Sequence, residues 1–263
     1  MLSIYAALKV ARKSRSGLAS AKNQNNVRNN KNGNGNEQYH VFPEGVEWDN
    51  YQYRRGFEYQ DDNGAAEDFF RRFSNFDELL RSLNYSQREA FRAWTRGELM
   101  DSEQWREWDN ISGYTQRILR GLDSVVDKAT LDRGIVITRA GSAELLLPGK
   151  RLASNLQELQ SLVGNVVTAK GYMSFGAASE GLPIGSQKNV EYKVRVPAGS
   201  KGAGMWVGDS RVSDWGSLQR EFLMSRDTSY RVDGVSYDSK RKKYIVDMTY
   251  MGKQKHDYGR SGR

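Results

Sequence analysis

Between residues 65 and 128 apolar side chains return every third or fourth place. Phe69, Phe70, Phe73 and Phe76, then Leu79, Leu80 and Leu83, form the first such series, the period of a helix with one face on a core. The run Ser86-Gln87-Arg88-Glu89 reads as a capping box opening a second helix through Phe91 and Trp94. A third helix would use Ile111, Tyr114, Ile118, Leu119, Leu122 and Val125. From Arg133 onward the pattern changes to short runs rich in Val, Ile, Tyr and Thr, broken by glycine. Residues 134–138, 166–173, 189–196, 205–207, 220–224, 230–235 and 244–250 are predicted strands. Helices first and strands afterwards predict an α+β domain with a mainly antiparallel sheet, not an alternating βαβ arrangement.

The glycines at 199, 202 and 204 follow a predicted strand and invite a dinucleotide-loop reading. Met205-Trp206-Val207-Gly208-Asp209 shows no helix onset, so a pyrophosphate would have no helix N-terminus to meet. Turns and a bulge are the expected role.

The two ends differ from this body. Residues 1–20 could form a short basic amphipathic helix through Leu2, Tyr5, Ala6 and Leu8. Eight of the fourteen residues 23–36 are Asn, a composition that cannot bury a core and is expected to be disordered. The expected division is a basic tail over 1–40, one folded domain over 41–252, and a basic C-terminal tail over 253–263.

Charge follows the same division. The net charge is +8, yet residues 1–36 hold seven Lys or Arg and no acid, and residues 240–263 hold eight against Asp247 and Asp257. The middle of the chain is therefore net acidic. Basic ends fit contact with nucleic acid, an acidic partner or an anionic membrane, or simply a solvated tail. The absence of cysteine excludes a disulfide framework, a thiolate nucleophile and cysteine-ligated metal. His40 and His256, the only two histidines, have no metal-ligand spacing, so the expected site holds no metal and no histidine-dependent triad. No stretch has the length of a membrane span, and the run 2–8 does not read as a secretory signal.

Three segments of the strand-rich half carry candidate chemistry. They are Val136-Ile137-Thr138-Arg139-Ala140-Gly141, Gly171-Tyr172-Met173-Ser174-Phe175-Gly176, and Leu218-Gln219-Arg220-Glu221-Phe222-Leu223. In this order they resemble the arginine strand, the serine-centred strand and the Gln-x-Glu turn of the Arg–Ser–Glu mono-ADP-ribosyltransferases, a class of bacterial toxins, effectors and phage-encoded enzymes. The resemblance covers about residues 82–248. It implies helices packed on an antiparallel β-sandwich core of the ADP-ribosyltransferase type, with NAD as co-substrate. The chain departs from the common Ser-Thr-Ser at Ser174-Phe175-Gly176, keeping the first serine.

The resemblance also assigns roles. Breaking the nicotinamide–ribose bond passes through an oxocarbenium-like state, which a nearby carboxylate favours; Glu221 matches that residue. Arg139 would hold the NAD phosphates through charge-assisted hydrogen bonds. Ser174 would brace Glu221, and Phe175 would lie beside the cofactor. Gln219, which can donate and accept but not act as a base, and Trp215 would recognise the acceptor. The implied partner is a host macromolecule, protein before nucleic acid, met by a monomer delivered into a host cell. A guanine-directed enzyme, an NAD glycohydrolase and a non-catalytic delivery protein with a decayed site remain the alternatives.

Overall fold

The computed structural model describes residues 39–42, 60–99, 108–141, 156–177, 189–213, 220–256 and 258. The first apolar series forms two helices, α1 (Gln60–Phe73) and α2 (Phe76–Ser82). Between them, both intervening side chains bond main-chain groups. Ser74 Oγ donates back to the carbonyl of Phe70 at 2.5 Å. Asn75 donates to the carbonyl of Lys128 and accepts from the amide of Thr130, both at 2.9 Å.

Helix α3 (Tyr85–Thr95) does have a capping box, but two residues earlier than the sequence pattern placed it. Asn84, not Ser86, is the cap: its Oδ1 accepts from the Gln87 amide at 2.9 Å, and Gln87 Oε1 accepts from the Asn84 amide at 3.0 Å. Asn is as good a cap as Ser, and the earlier start puts Ser86 inside the first turn. Helix α4 (Gly113–Val126) is capped by Ser112 and packs on α3. A Cβ at Gly121 would come 2.6 Å from the Cβ of Ala90, so glycine sets how closely these helices approach. Gln87 Nε2 then bonds Ser124 Oγ across the pair at 2.9 Å.

The strands are β1 (His40–Val41), β2 (Ile135–Gly141), β3 (Val166–Ala169), β4 (Met173–Gly176), β5 (Val190–Val196), β6 (Gly204–Trp206), β7 (Glu221–Met224), β8 (Thr228–Asp238) and β9 (Lys243–Lys253). A short helix, α5 (Leu156–Gln160), precedes β3. The expected run 166–173 is thus two strands. Among the described residues the sheet order is β3-β8-β9-β5-β2-β4-β7-β6, with β1 beside β2. Only β1–β2 and β5–β9 pair in parallel, so the expectation of a mainly antiparallel sheet holds. Strand β2 runs against β5 over seven positions but meets β4 at one, Thr138 opposite Gly176. The ladder narrows to a single pair there, and the candidate site lies at that junction. The glycines at 199 and 202 sit at φ 76° and 66° in turns before β6, with no helix following.

Phe70 touches Phe42, Phe69, Phe76, Phe222 and Trp206, with ring centroids 5.2–5.6 Å apart. This cluster fastens α1 and α2 to β6 and β7. The far end of the chain is fastened as well. Residues beyond 252, expected as a tail, include the end of β9, a buried His256 and a half-buried Tyr258.

Candidate active site

Arg139 follows the buried part of β2, Ser174 is central in β4, and Glu221 opens β7. The register of β4 and β7 places Gly176 opposite Glu221 and Ser174 opposite Leu223. Ser174 and Glu221 are therefore diagonal neighbours on one face of the sheet, and glycine leaves the space directly across from Glu221 free of a side chain. Ser174 Oγ donates to Glu221 Oε1 at 2.5 Å. Arg139 Nη1 donates to the main-chain carbonyl of Ser174 at 2.7 Å. Three residues from three separated segments thus meet around one carboxylate.

A fourth residue joins them. Trp94 Nε1, near the end of α3, donates to the same Oε1 at 2.8 Å. The sequence pattern assigned Trp94 to the apolar face of a helix, since it follows Phe91 by three. Nothing in sequence spacing marks a hydrogen bond to a residue 127 positions away.

The Glu221 carboxyl is buried, at 5% exposure. Burial pushes its pKa above the ordinary carboxylate value; the hydrogen bonds from Ser174 and Trp94 and the charge of Arg139 work in the other direction. The backbone is held firmly too. The carbonyl of Glu221 accepts from the Val207 amide at 3.0 Å, and that of Arg220 from the Ala177 amide at 2.9 Å. Arg220 itself is left-handed, with φ 44°, a costly conformation for a residue with a Cβ. It stands immediately before the carboxylate.

Phe175 is not brought to these oxygens. It is wholly buried, faces away from Ser174 by strand alternation, and pairs in register with Phe222. Its place in the structure is the core. Trp215 and Gln219 lie outside the described residues. The segment just before them is anchored, however. Arg211 Nη2 bonds Asp209 Oδ2 and Asp77 Oδ1 of α2, each at 2.7 Å. Thr95 Oγ1 donates to the carbonyl of Val212 at 3.3 Å.

Sequence reasoning also missed a buried polar cluster behind the site. Asp123 on α4 accepts from Tyr172 Oη at 2.8 Å, Tyr258 Oη at 3.0 Å, and Arg226 Nη2 at 2.8 Å. His256 adds Nδ1–Asp227 at 2.8 Å and Nε2–Asp127 at 3.1 Å. The Arg226 guanidinium lies over Trp108 and Tyr258, 5.2 Å from each ring centroid. Tyr172 connects this cluster to Trp94, the two rings being 5.8 Å apart. Among the described residues no helix is long and apolar enough to cross a membrane.

The helices and mainly antiparallel sheet match the fold of the C3-type ADP-ribosyltransferases. The structure is similar to C3stau2 from S. aureus, solved with NAD, with a TM-score of 0.60, 16% identity, and coverage of 72% of this chain and 96% of that one. It is similar to Plx2a, an ADP-ribosyltransferase toxin from Paenibacillus larvae, with 0.62, 15%, 73% and 97% respectively. For the Clostridium limosum C3 exoenzyme the values are 0.59, 16%, 72% and 94%. A family model described as ADP-ribosyltransferase exoenzyme matches residues 72–253, and the chain belongs to that family. It is an NAD-dependent ADP-ribosyltransferase, with NAD as co-substrate. No curated protein sequence matches it.

Proposed function

We propose that this enzyme transfers ADP-ribose from NAD to a side chain of a host protein, with Glu221 as the residue that acts on the ribose. The observation carrying the reading is the braced carboxylate. Glu221 is buried, held by Ser174 and Trp94 through one oxygen, and bears the field of Arg139. Among the described residues its Oε2 takes no side-chain hydrogen bond, which leaves that oxygen for a ribose hydroxyl.

The bond between ribose C1′ and the nicotinamide nitrogen breaks, and its electron pair leaves with neutral nicotinamide. Positive charge grows on the ribose, where a preorganised carboxylate in a site screened from water stabilises it. The acceptor then bonds to C1′ and gives up a proton. Since the leaving group needs no protonation, the lack of a histidine at the site is no obstacle. Arg139 is assigned to the NAD phosphates, a task suited to its planar fork, and Ser174 to holding Glu221. Gln219, two residues before Glu221, is assigned to the acceptor. A protein acceptor is favoured by the net acidic middle of the chain, since a nucleic-acid substrate calls for a cationic surface.

Labelled NAD incubated with enzyme and host lysate tests the acceptor. Label removed by protease and resistant to nuclease is expected; the reverse pattern would make the enzyme nucleic-acid-directed. Glu221→Gln is expected to lower both NAD hydrolysis and transfer by about a hundredfold or more. Gln219→Ala should depress transfer while largely sparing hydrolysis, and equal losses in both would defeat this division of roles.

A further inference from the structure

Helix α3 ends beside the candidate carboxylate, and its last two residues reach in different directions. Thr95 holds the carbonyl of Val212, in the segment that leads toward Gln219. Trp94 reaches Glu221. Its indole N–H and the Ser174 hydroxyl approach the same carboxylate oxygen, at 2.8 Å and 2.5 Å.

Resting on the assignment of Glu221 to the ribose, we propose that Trp94 is a positioning residue. It and Ser174 saturate Oε1, fix the rotation of the carboxylate, and so present Oε2 to NAD. One donor alone would leave the carboxylate plane free to turn about that hydrogen bond. Two donors from elements on different sides, a helix and a strand, remove that freedom. The indole is a suitable donor because it gives a hydrogen bond but accepts none. It can therefore only support the ionised form of Glu221 and never compete for its proton.

The ring is itself held in place. Tyr172 packs against it at 5.8 Å, and the Tyr172 hydroxyl is fixed on Asp123. The capping box at Asn84 and the Gln87–Ser124 bond secure the start of α3. Trp94 as a whole is only partly buried. Its contact with Glu221 opposes the burial of Glu221 and favours its ionised form.

Two variants separate the donor from the bulk. Trp94→Phe keeps an aromatic ring and loses the N–H. Trp94→His loses the second ring but puts Nε2 where the indole nitrogen stands, a neutral donor in one tautomer above about pH 7.5. NAD hydrolysis is measured on both and on Glu221→Gln, from pH 5 to 9, with thermal unfolding as the check on folding. In Trp94→Phe, kcat should fall about tenfold or more with KM for NAD little changed. The acidic limb of its pH profile should move to higher pH, because Glu221 has lost a hydrogen bond that favours its charge. Trp94→His should recover a large part of kcat near pH 8. A folded Trp94→Phe with the wild-type kcat and acidic limb, beside an inactive Glu221→Gln, would overturn the proposal and leave the site standing. Equal damage in Phe and His variants would also overturn it, by showing that bulk alone matters. An active Glu221→Gln would instead remove the reading on which the proposal rests.

Discussion

Arg226 grips Asp123 with two nitrogens, Nε at 3.0 Å from Oδ1 and Nη2 at 2.8 Å from Oδ2, and both side chains are almost fully buried. The pair joins the β7–β8 turn to α4, and Tyr172 and Tyr258 complete the bonding of the carboxylate. A buried pair contributes little beyond what an apolar pair of that volume would, but breaking it leaves a buried charge without its main partner, with only the Asp227 carboxylate, among the described residues, still beside Arg226. Asp123→Ala is expected to lower unfolding free energy by about 3–5 kcal/mol. Arg226→Met should be comparably harmful, whereas the double variant Asp123→Ala/Arg226→Met should cost at least about 1 kcal/mol less than the two singles together. Urea titration of all four proteins checks this, and strict additivity would mean the two residues act independently.

His256 gives stability a dependence on pH. Burial alone would lower its pKa, but hydrogen bonds to Asp127 and Asp227 and the charge of Asp123 outweigh burial and the opposing charge of Arg226, so it is raised above 6.5. Lys253 also lies against it, sharing Asp127. A histidine whose folded pKa exceeds its unfolded value contributes stability that is complete below pH 6.5 and disappears as pH rises through the folded value. Thermal unfolding should therefore show Tm declining above pH 6.5 in the wild type and a flatter profile in His256→Gln. Parallel profiles for the two proteins would remove His256 from the account.

Arg139 is expected to serve NAD more than the fold. Arg139→Lys retains the charge and a donor for the Ser174 carbonyl, but loses the planar fork. NAD affinity by calorimetry should weaken roughly tenfold, with Tm changed by no more than a few degrees. Unchanged affinity in a folded Lys variant would withdraw the assignment.

The order of elements was legible because periodicity reports burial directly: Phe91 and Leu119 are buried as the three-to-four spacing requires, and Val194 and Val246 as alternation requires. Boundaries were less legible. Ser86 and Asn84 are both good caps, and the helix uses Asn84, whose box with Gln87 is equally local. Of the site, Ser174 and Glu221 could be picked from their segments, and their diagonal placement brings them into contact. Trp94 could not, because a half-buried tryptophan on a helix face is patterned like any core aromatic. The Asp123–Arg226–His256 cluster was hidden for a similar reason: each member sits in unremarkable local sequence, and only the fold closes 103 positions between Asp123 and Arg226. Phe175 packs in the core beside Phe222 because adjacency to Ser174 along a strand means opposite faces.

Glu221→Gln should make the protein more stable while making it inactive. Glu221 is buried, and burial raises its pKa above 4.5 despite the bonds from Ser174 and Trp94 and the charge of Arg139. A carboxyl whose folded pKa exceeds its unfolded value favours folding most when protonated, below pH 4.5. That contribution is lost as pH rises through the folded value, so at neutral pH the ionised group is a net burden on the fold. Gln keeps the size and an acceptor oxygen for the Ser174 hydroxyl and the Trp94 indole, and it carries no charge to desolvate. Its Tm at pH 7 should thus exceed that of the wild type, by about 2–4 °C for each kcal/mol relieved in a domain of this size. The gap should close as the pH is lowered toward 4.5, where the wild-type carboxyl becomes neutral. Scanning calorimetry of both proteins from pH 4.5 to 8 measures the gap directly, with NAD hydrolysis followed on the same samples. A lower Tm for Glu221→Gln across that whole range would show that the charge supports the fold, contrary to a site in which stability is given up for catalysis.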